Sequence, residues 1–249
     1  MNVFVLATCR LPELYHMTEL VFRTIRVGFP TACIRVNTNR MRDQELSLLK
    51  ATCDPIGCEL SPADTIHHLW IEDLVNREVQ PFYVVDTDVI FYESVEDWTF
   101  TKPLAGWRIP EWNDQFTASV TRTRLHTSLL YIDPTAVREE IRRYYAQFPT
   151  THFNPKANLF HPLCMPFKGR GYFYDTCGML YHAIGGESFT AKQLDAYFHF
   201  NFGTISDIVL PRLKMGDEIA RRRKEVLDNP VLGRGLWREQ MEYYQSCHV

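Results

Sequence analysis

No run among the 249 residues reaches the roughly 18 uninterrupted apolar positions that a membrane-spanning helix requires, so an intrinsic anchor of that kind is excluded. Paired cysteine patterns are missing too. Cys9, Cys33, Cys53, Cys58, Cys164, Cys177 and Cys247 are odd in number and contain no CxxC. That argues against a thiolate zinc site or a redox motif and favours the reduced thiols of a cytoplasmic protein. An excess of one charge is absent: 27 Lys and Arg face 30 Asp and Glu, so the total encodes no attraction to nucleic acid or anionic membrane. Met1 to Arg10 has no basic segment and too short an apolar run for a secretory signal, and reads instead as a first buried strand. Repeats and low-complexity stretches are lacking as well. What the chain does have is ordinary globular composition with many aromatics, 16 Phe, 12 Tyr and 5 Trp.

The first hundred residues alternate between strand and helix signals. Val3 to Ala7 is a continuous apolar run, as in a strand covered on both faces. Leu14, Met17, Val21 and Ile25 recur at helical spacing over residues 12 to 27, with Gly28 as a stop. Ala32 to Val36 is a second strand ending in Asn37-Thr38-Asn39, followed by a helix over Asp43 to Ala51. Cys58 to Leu60 is a short strand, Ser61 and Pro62 introduce a helix from Ala63 to about Arg77, and Phe82 to Val85 is a strand running into Asp86-Thr87-Asp88. The alternation predicts an α/β fold with a mostly parallel sheet flanked by helices. Ligands of such sheets bind beyond the carboxyl ends of the strands, so the three polar tips are expected to converge there.

The second half is less regular. Pro103 to Ile109 and Ser128 to Ile132 read as strands, and Pro134 to Gln147 as a helix capped by Asp133. Residues 148 to 173 read as a long aromatic loop, of a length usually tied to function. Tyr174 to Ala183 is expected to be a helix, Leu194 to Phe202 extended, and Lys214 to Leu227 a helix.

Asp86-Thr87-Asp88 is the central motif. Two carboxylates two residues apart at a strand end can hold a hard divalent cation through oxygen. Chance alone gives about one Asp-x-Asp in such a chain, so the setting matters more than the motif. Phe82 to Val85 and Val89 to Phe91 flank it with apolar residues, where unpaired carboxylates are costly. The plain alternative is two solvated carboxylates at a turn. His199, inside Ala196-Tyr197-Phe198-His199-Phe200-Asn201-Phe202-Gly203, is either a packed core histidine or a third ligand.

These residues resemble the GT-A glycosyltransferases, with the glycogenin-like and related bacterial sugar transferases as the nearest pattern. In them a helix leads to a strand ending in Asp-x-Asp, as over His67 to Trp98 here. His126-Thr127-Ser128-Leu129-Leu130-Tyr131-Ile132-Asp133 is similar to their Asn-Ser-Gly strand. His199-Phe200-Asn201-Phe202-Gly203 is similar to their His-Phe-x-Gly element with one extra residue, and Thr204-Ile205-Ser206-Asp207 stands where they carry Lys-Pro-Trp. The resemblance covers about residues 1 to 205. It implies a single catalytic domain with a nucleotide-sugar half (1–100), an acceptor half (101–205) and a C-terminal helical segment (206–249).

The resemblance further implies that Asp86, Asp88 and His199 hold Mn²⁺ or Mg²⁺, with Asp86 also near the ribose and sugar hydroxyls. Thr8, Arg10 and Asn37 become candidates for the base, ribose and diphosphate of a nucleoside-diphosphate sugar. Asp175 is either an N-cap or the carboxylate that takes the acceptor hydroxyl's proton. Trp107, Trp112 and Phe116 are sugar-stacking or core residues. His67, His68, His152, His161 and His182 lack metal spacing and read as structural. Arg221-Arg222-Arg223-Lys224 is a solvated face or, with Arg122 and Arg124, a patch for a nucleic-acid acceptor. The expected activity is metal-dependent transfer of a sugar to a glycan, a protein or a hydroxylated base of modified DNA. The alternatives are a sugar-phosphate nucleotidyltransferase, disfavoured by the lack of Gly in Leu6 to Pro12, and a non-catalytic carbohydrate-binding protein.

Overall fold

The computed structural model describes residues 1–8, 20–114, 119–148, 159–167 and 170–199. In chain order the first elements are β1 (Asn2–Thr8), a 3₁₀ turn (Leu20–Arg23), α1 (Ile25–Gly28), β2 (Cys33–Asn39) and α2 (Asp43–Cys53). A 3₁₀ turn (Asp54–Ile56), β3 (Cys58–Ala63), α3 (His67–Arg77), β4 (Phe82–Val85) and β5 (Val89–Phe91) follow. Next come β6 (Leu104–Ile109), β7 (Trp112–Asp114), β8 (Ser119–Thr121), β9 (Arg124–Ile132) and α4 (Pro134–Gln147). The last are β10 (Leu163–Phe167), β11 (Arg170–Tyr174), α5 (Gly178–Ile184), β12 (Glu187–Ser188), α6 (Ala191–Leu194) and β13 (Tyr197–His199).

A seven-stranded sheet has the order β12-β6-β9-β4-β1-β2-β3. It is mixed: β1, β2 and β3 are parallel, β12 is parallel to β6, and β6 and β9 are antiparallel. The expected α/β class is therefore correct. No helix of the described residues is long and apolar enough to cross a membrane.

The chain packs as two compact units, each built from non-contiguous segments. The first draws on Met1–Asp64, Val85–Trp98 and the segment from Thr190. Val3, Phe4 and Val5 are buried there on alternating faces of β1, as expected of a strand covered on both sides, whereas in β2 Ile34 and Val36 are fully buried and the Arg35 side chain between them is 40% exposed. Two expectations need correction. The described part of the helix over residues 12 to 27 is a 3₁₀ turn and the single turn α1, while residues 9–19 lie outside the described residues. Gly28 closes α1 as expected, and its smallness also serves packing: a Cβ there would lie 2.5 Å from Phe91 Cδ1. Ser61 and Pro62 belong to β3 and do not open a helix, which begins at His67. β3 ends the strand order, and an edge strand tolerates a proline's missing N–H.

The second unit draws on Thr65–Val84 and Thr99–Phe189. α4 forms as read: Asp133 Oδ1 accepts from Ala136 N at 3.0 Å, with Pro134 in the first turn. β9 starts at Arg124, four residues before the expected Ser128. The stretch expected as a loop contains the antiparallel pair β10 and β11, with Pro166 on β10, an edge of the four-stranded sheet β10-β11-β8-β7. Because Tyr174 pairs with Leu163, the following helix starts at Gly178 and not at Tyr174. In the first unit, of the stretch expected to be a strand or extended over Leu194 to Phe202, Leu194 ends α6 and the described residues form strand only in β13, while 200–202 lie outside the described residues. The expected helix over Lys214 to Leu227 and the remainder of the aromatic loop, 149–158 and 168–169, lie outside the described residues.

Candidate metal centre

Asp86-Thr87-Asp88 joins β4 directly to β5. The turn is fixed from outside: Val21 N donates to Thr87 O at 3.0 Å, and Phe91 N donates to Thr24 Oγ1 at 2.9 Å. β5 pairs antiparallel with β13 in the register Phe91↔Tyr197, Ile90↔Phe198 and Val89↔His199. That ladder carries His199 across more than a hundred residues of sequence to the Asp-x-Asp turn. His199 Nε2 lies 3.2 Å from Asp88 Oδ1, with the two side chains only 6% and 5% exposed. A half-buried Asp86 offers a carboxylate oxygen within 4.8 Å of a ring nitrogen of His199.

A carboxylate this deeply buried requires a cationic partner or strong hydrogen bonding. The donor set fits a divalent ion. Ligands adjacent in an octahedron around Mg²⁺, bound at about 2.1 Å, lie about 3 Å apart, so the His199–Asp88 separation already has the length of such an edge. Two hard carboxylates and one borderline imidazole suit Mn²⁺ or Mg²⁺ better than a soft metal. Two carboxylates and an imidazole would leave octahedral positions for water or a ligand's oxygens.

The other residues singled out in the sequence fall into several environments. Asn37 and Thr8 are in strands, not beyond them: the polar tip of β2 continues the ladder, with Leu6↔Asn37 and Thr8↔Asn39. Asn37 Nδ2 donates to Ser61 Oγ at 2.8 Å, and Asn39 Nδ2 donates to Thr8 Oγ1 at 3.3 Å. Thus the tips of β1 and β2 do meet. Arg10 and Phe116 lie outside the described residues, as do His152 and Arg221 to Lys224.

Asp175 is not an N-cap. Cys177 holds the cap position of α5 with φ 60°, and its side chain caps nothing. Asp175 Oδ2 instead pairs with Arg124 Nη2 at 2.7 Å, while Oδ1 accepts from Thr176 N at 2.8 Å. Arg124 is 7% exposed, so the carboxylate serves as counter-ion to a buried guanidinium. The alternative that puts Arg124 in a basic surface patch does not hold, because Arg124 is buried at the start of β9, a position that nothing in its local sequence signals. Arg122 pairs with Glu111 at 3.2 Å and stacks over Tyr172 at 5.3 Å from the ring centroid.

Trp107 is buried at 3% exposure against the His126 ring, 5.4 Å away at 34°, which is a core position and not a sugar platform. His126 Nδ1 accepts from Ser128 N at 3.0 Å, so a neutral ring carries its proton on Nε2. His68 and His161 contact each other at 4.4 Å between ring centroids, in keeping with a structural role. Burial and the His161 ring hold the His68 imidazole below its ordinary range, and burial with Arg122 does the same for His182. Burial pushes the Cys177 thiol up to about 12.

No family model matches this chain, and no curated protein matches it. Among solved structures, it overlaps the glycosyltransferase GlyE of Streptococcus pneumoniae TIGR4 with 11% identity and a TM-score of 0.44, over 76% of this chain and 46% of that one. The galactosyltransferase LgtC, in complex with donor and acceptor sugar analogs, overlaps with 10% identity and a TM-score of 0.45, over 77% and 74%. A nucleoside-diphosphate-sugar pyrophosphorylase from Vibrio cholerae RC9 overlaps with 10% identity and a TM-score of 0.39, over 80% and 95%. The chain therefore spans less than half of that GlyE chain. At these identities and scores the overlap assigns neither a substrate nor a residue role.

Proposed function

We propose that this chain is a metal-dependent glycosyltransferase of the GT-A type, transferring a sugar from a nucleoside-diphosphate sugar to a hydroxyl of a glycan, a protein or a modified DNA base. The observation that carries the reading is the buried contact between His199 and Asp88 beside Asp86. Asp88 and His199 are buried against one another and half-buried Asp86 reaches the same imidazole, an arrangement that a solvated turn does not need. A cation site does.

Asp86, Asp88 and His199 hold Mn²⁺ or Mg²⁺ in this reading, and the bound cation supplies charge neutralisation to the departing nucleoside diphosphate. Asp88, nearly wholly buried, is the fixed ligand, and half-buried Asp86 also reaches donor hydroxyls. Thr8 and Asn37, with Arg10, orient the base, ribose and diphosphate at the strand tips. Asp175, held by its ion pair with Arg124, is in this reading the carboxylate that takes the acceptor hydroxyl's proton. The protein is cytoplasmic in this account.

Incubation of purified protein with a panel of nucleoside-diphosphate sugars, with and without Mn²⁺, tests the reading. Release of nucleoside diphosphate that requires the cation and falls about 100-fold or more in Asp88→Ala supports it. Consumption of nucleoside triphosphate and sugar phosphate with release of pyrophosphate identifies a nucleotidyltransferase instead. Sugar binding indifferent to metal, with no turnover, identifies a carbohydrate-binding protein.

A further inference from the structure

The sequence offers no CxxC pair, yet the fold brings two cysteines together across a longer turn. Cys53 is the last residue of α2 and is fully buried, while Cys58 opens β3 and is half-buried. Between them, Asp54-Pro55-Ile56 forms a 3₁₀ turn closed by Gly57, whose φ of 66° is readily adopted only by glycine. Gly57 N donates to Asp54 O at 3.2 Å. The two thiols are joined by a hydrogen bond.

Arg26 braces this turn. Its Nε donates to Ile56 O at 2.8 Å and its Nη2 to Gly57 O at 3.2 Å, while Nη1 donates to Ala32 O at 2.8 Å and Phe29 O at 3.3 Å. The guanidinium thus sits where the backbone turns between the two sulfurs. The Cys53 hydrogen bond and the Arg26 charge draw the Cys58 thiol below its ordinary range against the opposing effect of burial, whereas the Cys53 thiol is raised. The pair therefore sets a half-buried sulfur, near the Arg26 charge, beside a fully buried one. Cys33 is not a third member. Its neighbour Ile34 pairs with Cys58 across the parallel ladder, so side-chain alternation sends Cys33 to the opposite face.

We propose that Cys53 and Cys58 form a peroxide-sensitive dithiol that closes reversibly to an intrachain disulfide across the Asp54–Gly57 turn. The Cys58 thiolate attacks the peroxide O–O bond, giving a sulfenic acid and one water after protonation. Cys53 sulfur then attacks the Cys58 sulfur, the S–S bond forms, and a second water leaves. Two thiols are oxidised by two electrons, and one hydrogen peroxide is reduced to two waters. The inference does not depend on the proposed glycosyl transfer.

The test uses the full reduced chain, hydrogen peroxide and tryptic mass spectrometry. Lys50 and Arg77 bound a peptide that contains Cys53 and Cys58 and no other cysteine. The expected result is that this peptide becomes lighter by about 2 Da and that dithiothreitol restores it. The peptide carrying Cys33 stays reduced. In Cys53→Ser, Cys58 is instead trapped by dimedone, and Cys58→Ser abolishes the mass change, with far-UV circular dichroism confirming that both variants are folded. Because the mass change is read on the unmutated chain, misfolding of a variant leaves the test intact. Oxidation of Cys58 to sulfinic acid without the loss of 2 Da, or a disulfide joining either residue to a different cysteine, overturns the proposal.

Discussion

Gly28→Ala is the substitution whose outcome the packing determines most sharply. Gly28 has ordinary helical backbone, so alanine there gains about 0.5–1 kcal/mol from reduced freedom of the unfolded chain. Against that gain, the new methyl carbon would stand 2.5 Å from both Cγ and Cδ1 of Phe91 and 3.0 Å from Cε1. Rotating the ring does not relieve a contact at Cγ, which lies on the rotation axis. The ring is also confined, 1% exposed and set edge-on to Phe29 at 5.3 Å and 72°. Relief must come from movement of β5, and forced insertion of a methyl group into a close-packed core costs about 1–3 kcal/mol. The net expectation is a loss of about 1–2 kcal/mol, seen as a lower urea midpoint with unchanged slope. Phe91 pairs with Tyr197 and Val89 with His199, so the strain reaches the ladder that holds the candidate metal ligands, and Mn²⁺ affinity should weaken as well. A stabilised Gly28→Ala protein with wild-type Mn²⁺ affinity would refute this reasoning.

Asp175→Asn removes the counter-ion of a buried guanidinium while keeping the shape. A fully buried pair loses about 3–5 kcal/mol on such breakage, and the 36% exposure of Asp175 reduces the expected loss to about 1–3 kcal/mol by urea denaturation. The double variant Arg124→Met with Asp175→Leu should recover much of it, and a loss as large as in Asp175→Asn would contradict the buried-charge account. For His68 and His182 the folded-state proton affinity is lowered, so the unfolded chain binds more protons than the folded chain as pH falls through 6.5. Stability should be fully present above that pH and decline below it, with a shallower acid limb in His68→Gln and His182→Gln. Imidazole titration midpoints above 6.5 in NMR spectra of the folded protein would reverse the sign.

Several elements are legible from local sequence patterns alone. The apolar runs of β1 and β4, and the Asp133-Pro134 start of α4, carry their structural cause within a few neighbouring residues. Misreadings arose where the cause is distant. Pro62 read as a helix start and the stretch around Pro166 as a loop because sequence does not reveal that their strands are edges. Gly28 does end α1 as read, but the packing reason for its smallness was not legible because Phe91 is 63 positions away. Arg124 looked exposed because its counter-ion, Asp175, comes 51 positions later. Cys53 and Cys58 escaped notice because their pairing depends on the Arg26-braced turn. The Asp-x-Asp turn was visible from its apolar flanks. Its relation to His199 came from resemblance, and the β5–β13 ladder supplies the physical link.

The most direct measurement of the central claim is a Mn²⁺ titration followed by electron paramagnetic resonance, with and without nucleoside diphosphate. The account predicts one saturable Mn²⁺ per chain, bound at least tenfold tighter with the nucleotide present, a difference of about 1.4 kcal/mol. That binding should be lost in Asp88→Asn and in His199→Ala. Nucleotide binding unaffected by Mn²⁺, or Mn²⁺ held equally well by both variants, would contradict it.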